Sequence, residues 1–222
     1  MTANPAATTH NPDIPDLCVY HAVHHALRMG AHRLADGVAA LGPRDERRAT
    51  AIGRYWVGYA GEVVAHHTIE DDVMFPALVE RCPVVADHLP RIEHDHHHLD
   101  ELMDACAQAV GSLPRGGDTG RAVALLTDLA EHTDEHLAFE DADLLPLFER
   151  HFTGAEFRAL DKAAAKSLGL GKQAAFTVPF VVGFADPKVR ANIFDAVPLP
   201  FKILWYATRR RHARLVDRAF GA

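Results

Sequence analysis

The chain has 222 residues, 48% of them hydrophobic and 24% charged, which is ordinary for a soluble globular protein and enough for one well-buried core. Its formal charge of −7 argues against general nucleic-acid binding. Three scattered cysteines without a Cys-x-x-Cys pair exclude a disulfide framework and a thiolate zinc site, no apolar run reaches the roughly 18 to 20 residues that span a bilayer, and a reducing cytoplasm is the expected setting.

Residues 1–15, with three prolines and several small polar residues, read as a disordered leader that has neither the basic region nor the apolar run of a secretory signal. A first helix is predicted from about residue 16, with Asp16 as N-cap and a stripe of Leu17, Tyr20, His24, Leu27, Ala31, Leu34, Val38 and Leu41. His24 falls on the stripe, whereas His21, His25 and His32 lie off it. Gly42 and Pro43 end the helix. A second helix is expected over residues 45–80, with Ile52, Trp56, Tyr59, Val63, His66, Glu70, Val73 and Ala77 facing inward and Pro76 kinking or ending it.

A third helix is expected from about residue 88. It offers His94, His96, His97 and His98, and only His96 keeps the spacing of Leu89, Ile92, Leu99, Met103, Cys106 and Val110. His94 and His98 are four apart but far round the helix from that stripe, so they read as surface residues, with a secondary metal site as the alternative. After the breaker GSLPRGGDTG, a fourth helix is predicted to about residue 152, carrying Ala122, Leu126, Leu129, Thr133, His136, Glu140, Asp143 and Leu147. Thr133 and Asp143 weaken that stripe.

The second and fourth helices share a pattern: His66, Glu70 and Pro76 recur as His136, Glu140 and Pro146, 70 positions later. Residues four apart lie one turn apart on one helix face, so each pair can direct an imidazole and a carboxylate at a common point. A carboxylate on a core stripe requires a cation or a strong hydrogen-bond partner. The expected fold is therefore all-α, an up-down-up-down four-helix bundle over residues 16–152, with His24, His66, Glu70, His96, His136 and Glu140 converging. Four imidazoles and two carboxylates suit two iron ions bridged by Glu70 and Glu140, with room for an oxo or hydroxo bridge; manganese and zinc take similar donors.

Across about residues 17–152 the chain resembles the hemerythrin family in its broad bacterial form, the HHE cation-binding domain, most specifically in HHTIEDDVMFP and EHLAFEDADLLP. The resemblance implies a non-haem di-iron site able to bind or react with O2, NO or peroxide, and by motif it assigns His24, His66, Glu70, His136 and Glu140 as ligands. The oxygen carriers of the family differ in two ways. They have a His-x-x-x-His pair on the third helix, where this chain has Ile92 and Asp100 on either side of His96, and an aspartate five after the last histidine. Asp141 has that second spacing, so it stands as the alternative to Glu140. Tyr20 and Tyr59 lie on the same stripes; they read as core aromatics, with a bond to the metal site as the alternative.

Residues 153–222 are expected to form a helical extension packed on the bundle. From Lys202 onward, six basic residues face one acidic residue, a net +5 that leaves −12 on the remainder. This basic tail reads as the solvent side of an added helix, with weak contact to a membrane or an acidic partner as the sharper alternative. The functional expectation is a di-iron protein that binds, senses or reacts with a small oxidant. The alternatives are a redox enzyme with catalase-like or oxidase activity at the same site, and an iron-handling or iron-sensing module.

Overall fold

The computed structural model describes residues 13–221, so most of the expected leader, residues 1–12, lies outside the described residues. The described residues are helical with no strand. Four long rods form the bundle. The first is α1 (Cys18–Ala39), and the second is α2 (Glu46–Ile69), continued by α3 (Phe75–Arg81). The third is α4 (Leu89–Ser112), and the fourth is α5 (Thr119–Phe139), continued by α6 (Leu145–His151). In space α1 lies against α2 and α5, and α4 completes the square against the same two.

Asp45 and Asp118 start α2 and α5, each accepting a hydrogen bond from the backbone N–H three residues on. The chain continues through both prolines. Between α2 and α3, and again between α5 and α6, one wide π-type turn is inserted, Glu70–Met74 and Glu140–Leu144. Phe75 N–H bonds to the Glu70 carbonyl, and Leu145 N–H to that of Glu140, five residues back. Proline removes one helical N–H and crowds the carbonyl four residues before it, and the wider turn accommodates both effects.

The extra residue in each turn corrects the stripes expected beyond the glutamates. Met74 and Leu78 are buried in place of Val73 and Ala77, while Leu144 and Phe148 replace Asp143 and Leu147. Asp143 therefore reaches solvent, and the weak point in that stripe disappears.

The chain beyond residue 153 wraps the bundle as α7 (Gly154–Leu168), α8 (Ala174–Phe184), α9 (Pro187–Ala196) and α10 (Leu199–Phe220). A capping box between Thr153 and Glu156 starts α7. α8 packs on α1 and α10, α9 on α1, and α10 along α2. The docking relies on missing side chains: a Cβ at Gly30 would meet Phe180 at 2.8 Å, one at Gly37 would meet Phe220 at 2.5 Å, and one at Gly58 would meet Phe176 at 2.2 Å. Aromatic rings thus press directly onto the backbones of α1 and α2. The arginines of the last helix are exposed, as expected of its solvent side, and Arg211, Arg214 and Arg218 border a cleft with Arg47, Arg48 and Arg54 of α2.

Candidate metal centre

Six side chains singled out by spacing meet in the middle of the bundle, and none is more than 7% exposed: His24 from α1, His66 and Glu70 from the second rod, His96 from α4, and His136 and Glu140 from the fourth. The two carboxylates lie between the imidazoles, each offering one oxygen to either side. On one side, His66 Nε2 is 3.2 Å from Glu70 Oε1, and His24 Nε2 is 3.5 Å from Glu140 Oε2. On the other, His136 Nε2 is 3.3 Å from Glu140 Oε1, and His96 Nε2 is 3.8 Å from Glu70 Oε2.

These inward atoms lack hydrogen-bond partners. The Nε2 atoms of His24, His66, His96 and His136, Glu70 Oε2 and both oxygens of Glu140 are buried and unpaired. A buried polar atom without a partner costs roughly 1–3 kcal/mol, so seven of them converging on one point require a common partner. Two ligand atoms held about 2.1 Å from one ion lie at most about 4.2 Å apart, and the spacings above fit that limit. A bound cation would satisfy such atoms, and the groups His24, His66, Glu70, Glu140 and Glu70, His96, His136, Glu140 each bring their ligand atoms close enough to hold one.

One outer ring nitrogen, that of His24, is hydrogen-bonded to a carboxylate, and two others face a carboxylate at longer range. His24 Nδ1 is 2.8 Å from Asp141 Oδ1, His96 Nδ1 is 3.5 Å from Asp71 Oδ1, and His136 Nδ1 is 3.9 Å from Asp95 Oδ2. At His24 the carboxylate can only accept, so it fixes the proton on Nδ1 and leaves the Nε2 lone pair free, whereas His136 Nδ1 has no hydrogen-bond partner. Asp141 is further clamped by Arg28 at 2.7 Å. Burial alone would raise its pKa, but the bonds from His21, His24 and Arg28 hold it well below the usual carboxylate range. Of the two residues that spacing left open, Glu140 points into the cluster and Asp141 contacts His24 from behind.

Electrostatics agrees with a site built for positive charge. Burial, then the neighbouring imidazoles, push His66 well below its usual pKa and His136 down to about 3, so both rings are neutral donors at neutral pH. Burial and the adjacent Glu70 carboxylate push Glu140 well above its usual range. Two carboxylates this close share a proton unless a cation takes its place.

One member of the site was not singled out by spacing. His67, beside His66 in sequence, is buried and stacks on His96, with ring centroids 3.9 Å apart and planes 11° apart. Its donor atoms lie within 4.8 Å of those of His96 and His136, so that side of the cluster has three imidazoles to the other side's two. Tyr20, read as a core aromatic with a bond to the metal site as the alternative, donates its hydroxyl to Glu70 Oε1 at 2.7 Å. Tyr59 is buried among core aromatics. His94 and His97 are exposed, and the ring of His98 lies against that of His132, so neither His94 nor His98 reaches the cluster.

A family model described as the Hemerythrin HHE cation binding domain matches residues 19–148, more than half of the chain. Comparison with curated proteins and with solved structures finds no significant match.

Proposed function

Starting from the fact that this chain belongs to the hemerythrin HHE cation-binding family, we propose that it is a non-haem di-iron protein that binds, senses or reacts with a small oxidant: O2, NO or peroxide. The observation that carries this reading is the set of seven buried, unpaired nitrogen and oxygen atoms enclosed by imidazoles and carboxylates. His24 and His66 would hold one ion and His96 and His136 the other, with His67 as a further donor to the second and Glu70 and Glu140 shared between them. Iron in such a site supplies an exchangeable electron and an open position for a small ligand.

The protein's own groups perform the remaining tasks. Asp141 keeps the ring proton of His24 on the outer nitrogen, and Asp71 and Asp95 place negative charge near the outer nitrogens of His96 and His136. The Tyr20 hydroxyl supports Glu70, and burial with the nearby carboxylates keeps that phenol protonated well above its ordinary pKa. It can therefore offer a hydrogen bond at the edge of the cluster without losing its proton. The three cysteines are free thiols, which suits the reducing cytoplasm proposed as the setting, and no described helix is long and apolar enough to cross a membrane.

Metal analysis of anaerobically purified protein, with absorption spectra before and after O2, tests the reading. Two irons per chain and a spectral change are expected. His66→Ala is expected to lose at least one iron, while His97→Ala, altering an exposed ring, keeps both. Iron-free wild-type protein, or His97→Ala emptying a site that His66→Ala leaves full, would overturn it. A spectral change that stops at one equivalent supports binding or sensing; sustained peroxide consumption supports the enzymatic alternative.

A further inference from the structure

The extension and the bundle line a partly open cavity of about 220 Å³ between α1, α2, α7, α8 and α9. Its wall is mostly hydrocarbon, with Val23, Ile69, Val178, Val181, Ile193 and Phe201 contributing from five segments. Tyr20 and His66 also line it, so part of the cavity wall is the metal cluster itself. We propose that this chamber is a binding site for an uncharged, mainly hydrocarbon organic molecule carrying a single hydrogen-bonding group, held beside the metal centre.

Size, charge and position support this choice. An apolar cavity of about 150 Å³ accommodates benzene, so this one suits a molecule roughly half as large again, far more than O2 or NO requires. No lysine or arginine lines the chamber, while two acidic residues, Glu62 and Asp161, do, so an anionic ligand finds no counter-charge there. The Glu62 carboxylate is already engaged: Oε2 accepts from the Thr177 hydroxyl and from the Gln173 amide. The Asp161 carboxyl, pushed up to about 7 by burial and so about half ionised at neutral pH, gives the wall a polar group that exchanges hydrogen bonds with a hydroxyl and repels an anion. The chamber also gives the extension a role. Residues 164, 165 and 168 of α7, four residues of α8 and the α9–α10 corner form one side, all outside the segment 19–148 that matches the family model.

The proposal rests on the metal-centre reading for its significance but not for its test. The full chain, iron-free and iron-loaded, is titrated by calorimetry with 2-naphthol, an uncharged two-ring alcohol, and with 2-naphthalenesulfonate, its anionic counterpart. One molecule of 2-naphthol per chain is expected to bind, with the sulfonate at least about tenfold weaker. Val178→Trp and Ala164→Trp fill the chamber from opposite walls, and each is expected to abolish naphthol binding while iron content stays at the wild-type level. Two variants guard against one misfolding, and circular dichroism identifies any that does. Failure of 2-naphthol to bind, binding that survives both tryptophans, or equal binding of the sulfonate would overturn the proposal. Naphthol binding by a chain that takes up no iron would refute the di-iron reading and leave the chamber standing; iron uptake without naphthol binding would do the reverse.

Discussion

His66 and His67 are adjacent in sequence, yet both are buried at the cluster: one faces Glu70 and the other stacks on His96. Adjacent helical residues point about 100° apart, so a single apolar stripe can account for only one of them. The crowded interior between α2 and α4 takes the second. Asp141 shows the same limit from the other side, because its spacing admitted a ligand role and its contacts assign it to the back of His24. Asp141→Asn is expected to weaken metal binding by about 10–100-fold without emptying the site, the usual effect of losing a partner behind a histidine ligand, as measured by competition with a chelator. Complete loss of one metal would instead make Asp141 a direct ligand. Asp161 makes a pH prediction. Its pKa is raised to about 7 from an ordinary 3.8, chiefly by burial and then by Asp16. The stability tied to its protonated form is therefore full below pH 4 and lost as pH rises towards 7. Asp161→Asn is expected to raise the melting temperature at pH 8 and to leave it nearly unchanged at pH 4, flattening the pH profile of thermal unfolding.

Among the elements, the two π-turns are the clearest translation of sequence into geometry. Each begins on the glutamate of a His-x-x-x-Glu pair and runs into a segment with proline at its second position, Pro76 or Pro146. The repeat was visible as letters, but the one-residue slip that buries Met74 and Leu144 was not, because a stripe counted at fixed spacing assumes a uniform helix. The glycines of α1 and α2 were likewise silent, since a missing side chain in a helix signals a contact only once the contacting ring is known. Gly58→Leu would drive a side chain into Phe176. It is expected to cost about 1–3 kcal/mol by overpacking and to expose the chain beyond residue 153 to limited proteolysis, with the family-matched core resistant. Unchanged melting and unchanged digestion would show that α8 is not seated through that contact.

For the whole molecule, the proposed metal centre would couple metal binding to the fold. The cluster joins all four rods at the level of His24, His66, His96 and His136, where a core would otherwise hold apolar side chains. Chelation is therefore expected to lower the melting temperature. Each ion at about 1,000 times its dissociation constant contributes about 4 kcal/mol, and at this chain length 1 kcal/mol corresponds to roughly 2–4 °C, so a fall of about 8 °C or more is anticipated by calorimetry. The effect should shrink as pH drops, because protons then compete with the ions for Glu140 and the imidazoles. An apo form that melts with the loaded one would separate the cluster from stability.

Periodicity and repetition were enough by themselves to determine four helices, the inward faces of His24, His66, His96 and His136, and the pairing of each glutamate with its histidine. Those features depend on contacts within a turn or two of one helix, which chain order encodes directly. Three things were decided only by tertiary structure: that His67 and Tyr20 join the cluster, that Asp141 stands behind His24 and not in front of it, and that four further helices line a partly open apolar cavity against His66. Each depends on residues far apart in sequence being brought within a few ångströms, and on how α1, α2, α5 and the extension rotate about their own axes as they pack.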